Sequence, residues 1–398
     1  MELFLQYGYG MKEITKSLFE KWNGGTVILS PRDIEQKSIV KTSKEFRKLN
    51  GSVLFDPQLY NPRANHSRLT SYDYWPDNYS TNVLTDSRSI KKILFQINQI
   101  NNDINSKTFI LPGLHCDKAT NDWFTIQEMI IGSASEIVTG KKKYATLCLS
   151  AETLRNEEQI ESILIRSESW AVDGYYVLPQ HPNGQYLVDD PVWLSSLLDF
   201  CAGLKLQGKD VIVGYSNHQL LCLSASKVDA IASGSWLNVR TFTSSRFDNP
   251  EPDEQSRKST WYYCPQALSE YKVNFLNIAH RTNTLKYMQH DESLNSDFAS
   301  ILFTGAQPSD TEYKEGASFR HYLDCLNQQC KLSHRNSFKE TISSQELLLE
   351  TAEKFLKLFH NNGVFGQKRD FYEYLDVNRA AITYLEQKRG FVLEREWE

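Results

Sequence analysis

The chain has 398 residues, of which 40% are hydrophobic and 23% charged, as in ordinary soluble globular proteins with room for one large domain and a smaller one. A net charge of −5 provides no general attraction to nucleic acid, so a nucleic-acid surface would have to be a local patch. No apolar run reaches the roughly 18 residues of a membrane span, no signal peptide is visible, and the seven cysteines follow no framework spacing, which together predict reduced thiols and a cytoplasmic location.

Short apolar strands alternate with amphipathic helices along the first 242 residues. The predicted strands are, in chain order, residues 3–7, 26–29, 52–55, 108–111, 145–149, 174–178, 210–214 and 229–232. The predicted helices between them are residues 12–22, 34–49, 89–104, 123–138, 157–170, 191–206 and 218–226. This alternation indicates parallel strands joined by right-handed crossovers. Eight such strands favour an α/β fold of the (β/α)8 TIM-barrel type, with an open doubly wound sheet as the alternative.

We predict a barrel over residues 1–245 and a mainly helical C-terminal region over residues 246–398. The barrel carries a long loop at 57–87, which is too rich in aromatic residues for disorder and has the length of a functional lid. In the C-terminal region, Ser343 and Glu346 have the spacing of a capping box that would open a helix, and a last helix is expected at about residues 369–388.

Candidate site residues follow the predicted strands, because the active sites of such barrels lie at the C-terminal strand ends. Asp56 is the most distinctive, since it follows three apolar residues and precedes Pro57, which cannot continue a strand. The candidate catalytic carboxylates are Asp56, Asp117 and Glu152. The candidate substrate-binding residues are Gln58, Tyr60, Trp75, His115, Gln180, His181, Asn217, His218, Trp236 and Arg240. For each, the alternative is a structural role, such as capping a turn or pairing with a nearby charge.

The order of these residues resembles the tRNA-guanine transglycosylase family, including its DNA-acting branch that installs 7-deazaguanine bases. Asp56 stands where that family has a catalytic aspartate within Leu-Thr-Asp-Ser-Gly-Gly. Asp173-Gly-Tyr175 matches the beginning of the family's sixth strand, and Gly214 and Val228-Asp229 also recur. The resemblance covers roughly residues 1–242 and implies a barrel that acts on a glycosidic bond of a nucleic acid.

Two departures from the family pattern bear on the chemistry. The family's nucleophilic aspartate falls at Ala232 in this chain, and its zinc motif, Cys-x-Cys-x-x-Cys with a distant His, is absent. Cys325, Cys330 and His334 lack a clear fourth ligand, so we predict no metal. The chain also has no P-loop, GxGxxG or Gly-x-Ser-x-Gly motif, so no nucleotide cofactor or catalytic serine is expected.

A retained carboxylate without the covalent nucleophile favours hydrolysis over base exchange. The resemblance therefore implies a DNA glycosylase that leaves an abasic site in double-stranded DNA. It extends to anti-phage enzymes that excise modified bases, glucosylated bases among them. The loop aromatics would stack on the extruded base, and its basic residues would meet phosphates. These loop residues are Tyr60, Tyr72, Tyr74, Trp75, Tyr79, Arg63, His66 and Arg68. Two alternatives stay open, a base-exchange transglycosylase and a catalytically inactive nucleic-acid-binding barrel, and the oligomeric state is not predicted.

Overall fold

Eight parallel strands form a curled sheet at the centre of the molecule. The computed structural model describes residues 1–76, 84, 86–248, 259–290, 294 and 296–397. The eight strands are β1 (Glu2–Gln6), β2 (Gly25–Leu29), β3 (Gly51–Phe55), β4 (Thr108–Ile110), β6 (Lys142–Leu149), β7 (Gly174–Pro179), β8 (Asp210–Val213) and β9 (Ala230–Ser233). A ninth, two-residue strand, β5 (His115–Cys116), pairs with β6. The predicted (β/α)8 barrel is confirmed, and every predicted strand lies within a few residues of an observed one.

The strand order identifies the sheet as a barrel rather than an open doubly wound sheet. Reading along the hydrogen-bonded path gives β3-β2-β1-β9-β8-β7-β6-β4, so each strand lies beside its neighbour in the chain and the first strand pairs with the last. The two end strands, β3 and β4, pack side by side without a ladder between their described residues. Beyond them, the His115 amide donates to the Tyr60 carbonyl at 2.9 Å, which joins the two edges at the C-terminal end.

Strand β3 can lie close to the helix before β2 because it begins with a glycine. Gly51 pairs with Gly25, and a Cβ added to Gly51 would stand 2.4 Å from Phe19. The ring of Phe19 therefore fills the space above both glycines, and any side chain at Gly51 would displace it.

Helices connect the strands at the predicted places. They are α1 (Met11–Trp22), α2 (Gln36–Arg47), α3 (Ser67–Thr70), α4 (Ser87–Asp103), α5 (Asn121–Ile137), α6 (Ala151–Arg155), α7 (Glu157–Ser167) and α8 (Pro191–Leu206). Polar caps begin several of them: the side chains of Asp86, Thr120 and Asp190 each accept a hydrogen bond from a backbone N–H two or three residues later. After β8 the connection His218–Ser226 is a 3-10 helix that is buried throughout.

The C-terminal region begins with a hairpin that the sequence did not predict, and continues as helices. The hairpin is β10 (Trp261–Cys264) with β11 (Ser269–Lys272), and the helices are α9 (Val273–Arg281), α10 (Glu315–Ser333), α11 (Phe338–Asn361) and α12 (Leu375–Arg395). Helix α12 packs on α8, α11 covers the 3-10 helix, and α10 lies against α1 and β1, so the region shares one hydrophobic core with the barrel. The division at residue 245 stays a prediction.

Helix α11 begins six residues before the predicted capping box. Its N-cap is Ser337, whose hydroxyl accepts from the Glu340 amide at 3.1 Å. The helix is therefore capped by the earlier Ser-x-x-Glu sequence at Ser337 and Glu340. Ser343 and Glu346 lie inside the helix, where the prediction was wrong. The last helix also begins later than predicted, at Leu375. Among the described residues, no helix combines the length and apolar character that crossing a membrane requires.

Candidate active site at the C-terminal strand ends

Asp56 lies at the end of β3 with its side chain fully buried. Its amide still follows the strand pairing and donates to the Leu29 carbonyl at 2.9 Å, before Pro57 ends the strand. One carboxyl oxygen, Oδ1, accepts from the Gln58 amide at 2.9 Å. The other, Oδ2, accepts from the Tyr60 hydroxyl and lies 3.4 Å from the Tyr176 hydroxyl on β7. The carboxyl group is thus held by three neutral donors.

Burial changes the acidity of Asp56, and no cation among the described residues opposes this effect. Burial raises the pKa of this carboxyl to about 6, although the hydrogen bonds from Tyr60, Gln58 and Tyr176 act to lower it. A carboxyl with a pKa near 6 takes up and releases protons close to neutral pH, as general acid–base catalysis requires.

A chain of polar side chains continues from Asp56 across the barrel. The Tyr176 hydroxyl lies 3.0 Å from Gln6 Oε1, and Gln6 is the last residue of β1. The other end of this buried amide, Nε2, has no hydrogen-bond partner among the described residues. A buried amide donor without a partner costs about 1–3 kcal/mol, which a bound polar group would recover.

Gln58, whose amide holds Asp56 Oδ1, is itself bonded to Tyr215, and both residues have a strained backbone conformation. Gln58 Nε2 donates to the Tyr215 hydroxyl at 2.9 Å, and Gln58 Oε1 accepts from the Arg32 amide at 3.0 Å. Both Gln58 and Tyr215 have a positive φ, 51° and 53°, which costs free energy for residues other than glycine. The loops after β2, β3 and β8 are therefore tied together around Asp56 in a conformation that the surrounding structure enforces.

A second carboxyl group, Asp33, lies at the same end of the barrel. It follows β2, is partly buried, and burial raises its pKa to about 6 against the lowering effect of Arg32, Ser30 and Arg68. Burial raises the pKa of Tyr215, and the charges of Asp56 and Asp33 act in the same direction. Asp33 was not among the predicted candidates, although it belongs to the strand-end segment Ser30-Pro-Arg-Asp33.

An aromatic cover closes this site from above, formed by Tyr60, Tyr215, Phe242 and Phe247. The ring of Tyr60 meets Phe242 and Phe247 edge-on at centroid distances of 5.4 and 4.9 Å, and the two phenylalanines stack at 5.6 Å. Tyr215 contacts Phe242 at 5.3 Å. Phe242 is fixed in turn, because its carbonyl accepts from the His181 amide at 3.1 Å. Asp56 is therefore enclosed in the conformation observed.

The other two predicted catalytic carboxylates point into solvent. The Asp117 side chain is 88% exposed and lies 3.2 Å from His115 Nδ1. The Glu152 side chain is 75% exposed, in the first turn of α6, and faces Arg155 at 3.8 Å. The structure does not bring either of them to Asp56, because each belongs to a segment that turns outward after its strand.

His115 and Gln180 form a polar bridge between three loops. His115 Nε2 lies 2.8 Å from Gln180 Oε1, which also accepts from the Ser244 hydroxyl at 2.9 Å. The bridge joins the segments after β4, β7 and β9. These two predicted residues are thus brought together at the C-terminal rim, and their role in binding stays a prediction.

Three further candidates are buried and engaged with backbone or rings. His181 Nδ1 lies 2.9 Å from the Gln185 carbonyl, and Asn217 caps the 3-10 helix while its Nδ2 donates to the Tyr186 carbonyl at 2.6 Å. His218 packs 5.0 Å from the Tyr263 ring, and burial lowers its pKa to about 4. These side chains organise the loops, and nothing in their contacts directs them toward Asp56.

Arg240 pairs with a buried acid of the C-terminal hairpin instead of facing solvent. The side chain is 2% exposed, and its Nη1 lies 3.2 Å from Glu270 Oε2 on β11. Its Nε donates to the Gly234 carbonyl at 2.7 Å, and the guanidinium lies 3.4 Å from the Tyr322 ring centroid. Arg240 was predicted to bind substrate, but in this arrangement its guanidinium is buried and paired within the protein.

The aromatic side chains of the long loop, which were predicted to stack on a base, pack on the barrel in this structure. Tyr72 and Tyr74 contact the Phe55 ring, at 5.9 and 6.1 Å, and Trp75 is buried. Trp236 packs on Phe319 at 4.9 Å, and its Nε1 donates to the Tyr9 carbonyl. Tyr79 lies outside the described residues.

The cysteines and histidine weighed as zinc ligands are dispersed along α10 and beyond it. Cys325 and Cys330 are five residues apart on the helix, which turns their thiols to different faces, and both are buried. His334 follows the helix and stacks on Trp397 at 5.4 Å.

No family model and no curated protein matches the chain. Among solved structures the chain is similar to XacCel5A in complex with cellopentaose, with 11% sequence identity, 64% of this chain and 94% of that chain covered, and a TM-score of 0.40. It is similar to the 3-dehydroquinate dehydratase from Aquifex aeolicus VF5, with 8% sequence identity, 62% of this chain and 95% of that chain covered, and a TM-score of 0.35. It is also similar to a glucosidase from Croceicoccus marinus, with 10% sequence identity and a TM-score of 0.34. The matched region is 59% of this chain and 58% of the glucosidase chain. Likeness at this level carries no information on substrate, and the transglycosylase resemblance stays a prediction.

Proposed function

We propose that the protein is an N-glycosidase, a DNA glycosylase that hydrolyses the bond between a modified base and its deoxyribose and leaves an abasic site. The observation that carries the proposal is Asp56, a buried carboxyl with a pKa near 6, held by neutral donors at the C-terminal end of the barrel. A carboxylate there would stabilise the positive charge that develops on the sugar, or would activate the attacking water.

Asp33 is the proton donor in this proposal, because it lies at the same end of the barrel and its charge acts on Tyr215 as that of Asp56 does. It would donate a proton to the departing base while Asp56 is ionised. The two groups flank Tyr215, whose hydroxyl is tied to Gln58. In this proposal Asp56 and Asp33 divide the roles of base and acid, and Gln6 contributes an amide to the polar substrate.

Hydrolysis is favoured over base exchange by the residue at the position of the missing nucleophile. Ala232 lies fully buried within β9, paired with Phe4, and its methyl group cannot form a covalent link to the sugar. The modified base and a role in defence against phage follow from the resemblance alone, and belong to this proposal only in that sense.

The aromatic cover favours a second candidate, a catalytically inactive barrel that binds nucleic acid. Tyr60, Phe242 and Phe247 close the approach to Asp56 in the observed conformation, so an active enzyme has to open this cover before the base can enter. In an inactive barrel the same rings would only be core.

The test uses DNA containing normal or modified bases, followed by alkali or an abasic-site endonuclease to reveal strand breaks. The wild-type protein should break modified DNA, Asp56→Asn should lower the rate by about 100-fold or more, and the exposed control Asp122→Asn should leave it unchanged. Incorporation of labelled free base would instead identify base exchange. Binding of DNA without release of any base would favour the inactive barrel.

A further inference from the structure

A cleft opens at the same end of the barrel, away from Asp56. It is a cleft of about 1270 Å³ between the segment 183–187, which follows β7, and the segment 360–374, which joins α11 to α12. Leu237, which follows β9, also lines it. Because segments after β7 and β9 lie at the C-terminal rim, the cleft shares a face with the carboxyl site, and none of the predicted site residues lines it.

Five aromatic rings line this cleft. Tyr186 comes from the segment after β7, Trp261 from β10, and Phe365, Tyr372 and Tyr374 from the segment 360–374. Phe365 is 43% exposed and Tyr372 is 41% exposed. Single exposed aromatics are common on protein surfaces, but a cluster around one concave space marks a binding site.

Cations are interleaved with these rings. The Arg369 guanidinium lies 3.9 Å from the centroid of the Trp261 ring, and Lys272 Nζ lies 5.2 Å from the same centroid. Lys368 is exposed beside them, so three cations line the cleft against two acids, Asp370 and Glu373. Alternating cations and aromatic faces are the surface that unpaired nucleic-acid strands use, because phosphates meet the charges and bases stack on the rings.

One buried carboxylate fixes both walls of the cleft. Glu270 Oε1 accepts from the Tyr186 hydroxyl at 2.7 Å, and Oε2 lies 2.8 Å from Arg369 Nη1. Tyr186 stands on the barrel wall and Arg369 on the C-terminal wall, so the acid holds a ring and a cation in place across the cleft. The side chains are therefore ordered before a ligand arrives, which lowers the entropy cost of binding.

The backbone is strained at one point on each wall. Asn183 has a φ of 52° and Gln367 has a φ of 55°, both in the left-handed region. Residues other than glycine keep this conformation where the surrounding structure enforces it, often at binding sites.

We propose that this cleft binds an unpaired stretch of a DNA strand, with bases stacked on Tyr372 and Phe365 and phosphates at Lys272, Lys368 and Arg369. The inference rests on the proposed function, since it supplies a path for the strand along the same end of the barrel as Asp56. Asp370 also lines the cleft, and its Oδ2 is held by His360 and by the Gly366 amide, each at 2.8 Å.

Fluorescence anisotropy of a labelled deoxythymidine oligonucleotide with the full-length protein tests the proposal. The double variant Lys272→Glu, Lys368→Glu should bind at least about tenfold more weakly and show a shallower salt dependence, because two phosphate contacts are lost. Tyr372→Ala should weaken binding while leaving the salt dependence unchanged, because it removes stacking alone. The matched control Lys92→Glu, an exposed lysine on α4, should bind as the wild type does, and thermal melting should show that each variant is folded.

Equal binding by the wild type and the double variant would overturn the proposal, and so would the absence of oligonucleotide binding. Competition by a neutral oligosaccharide with no effect of the lysine variants would assign the cleft to a glycan instead. The outcome is separable from base release. If the oligonucleotide binds and the cleft variants weaken that binding, but no base is released, the cleft proposal stands and the proposed glycosylase function is wrong. Base release that the cleft variants do not affect removes only the cleft.

Discussion

Two buried carboxyl groups, Asp56 and Glu270, are shifted in opposite directions by their neighbours. Burial acts to raise the pKa of both. At Asp56 only neutral donors oppose it, and the pKa is about 6. At Glu270 the charges of Arg369 and Arg240 outweigh burial and bring the pKa to about 2. Glu270 is thus expected to stay ionised as a structural partner, whereas Asp56, like Asp33, can change its protonation near neutral pH, as the proposed reaction requires.

Replacing Asp56 by Asn should stabilise the protein in a pH-dependent way. Between pH 4 and pH 6 the unfolded chain releases the Asp56 proton while the folded chain keeps it, so wild-type stability falls as the pH rises through this window. Asn carries no proton to release. The gain in the free energy of unfolding of Asp56→Asn over wild type should therefore grow between pH 4 and pH 7, by up to about 3 kcal/mol for a rise of roughly two pKa units. Urea denaturation at several pH values measures it.

The control Asp122→Asn replaces an exposed carboxyl and should change the free energy of unfolding by less than about 0.5 kcal/mol. A constant difference for Asp56→Asn would mean that its carboxyl titrates normally in the folded protein.

Tyr60→Phe should move the acid limb of the pH–activity profile upward. The Tyr60 hydroxyl donates to Asp56 Oδ2 and acts to lower the pKa of that carboxyl, so its removal should raise the pKa further, by about one unit. Tyr176→Phe, which removes the longer 3.4 Å contact, should give a smaller shift. Rates of base release between pH 5 and pH 9 measure both variants. If neither variant moves the acid limb, the limb does not report the titration of Asp56.

At the scale of elements, the strands could be predicted because their signal is local. Apolar runs such as Val53-Leu-Phe55, bounded by Gly51 and Pro57, predict a buried strand, and the carboxyl ends of parallel strands share one edge. Asp56 was found in this way. The hairpin β10–β11 was missed because its two short strands are defined by pairing with each other and by burial against the C-terminal helices, which no local pattern shows.

The remaining site residues depend on contacts between distant parts of the chain. Tyr176 lies 120 residues after Asp56, and Gln58 bonds to Tyr215, 157 residues away. The sequence placed Glu152 and Asp117 at the right edge of the barrel but held no sign of whether their side chains turn inward. The same holds for Arg240, whose partner Glu270 lies on the hairpin that was not predicted.

The aromatic cover is the element whose motion the proposed reaction requires, and Phe247→Ala should open it. The ring of Phe247 contacts Tyr60 at 4.9 Å and lies 5.6 Å from the Arg32 guanidinium. Its removal should let water reach Asp56, weaken the effect of burial and lower the pKa of the carboxyl from about 6. The acid limb of the activity profile should then move to lower pH, opposite to Tyr60→Phe.

The control for this variant is Phe95→Ala, which removes a phenylalanine that is 56% exposed on α4. It should leave the acid limb in place. If Phe247→Ala behaves like Phe95→Ala in a folded protein, the ring does not shield Asp56 from water.

For the whole molecule, a buried ion cluster joins the barrel to the C-terminal region. Arg240 comes from the loop after β9, Glu270 from the hairpin, and Arg369 from the segment before α12. The cluster lies between the rim of the barrel and the cleft, so the C-terminal region does more than cover the outside of the barrel. It completes the rim and forms one wall of the cleft.

Glu270→Gln should destabilise the whole protein, because it leaves the buried Arg240 guanidinium and the half-buried Arg369 guanidinium without their anion. The expected loss in the free energy of unfolding is about 3–5 kcal/mol at pH 7. Glu13→Gln, which removes an exposed acid paired with Lys16, should change it by less than about 0.5 kcal/mol. Chemical denaturation at pH 7 compares the two variants, and similar values for both would show that the cluster does not hold the regions together.

Release of a base from modified DNA, compared between the wild type and Asp56→Asn under single-turnover conditions, tests the central claim most directly. We expect the wild type to release the base and leave alkali-sensitive sites, and Asp56→Asn to be slower by about 100-fold or more while remaining folded. Full base release by Asp56→Asn, or none by the wild type from any DNA, would contradict the assignment of Asp56 as the catalytic carboxylate.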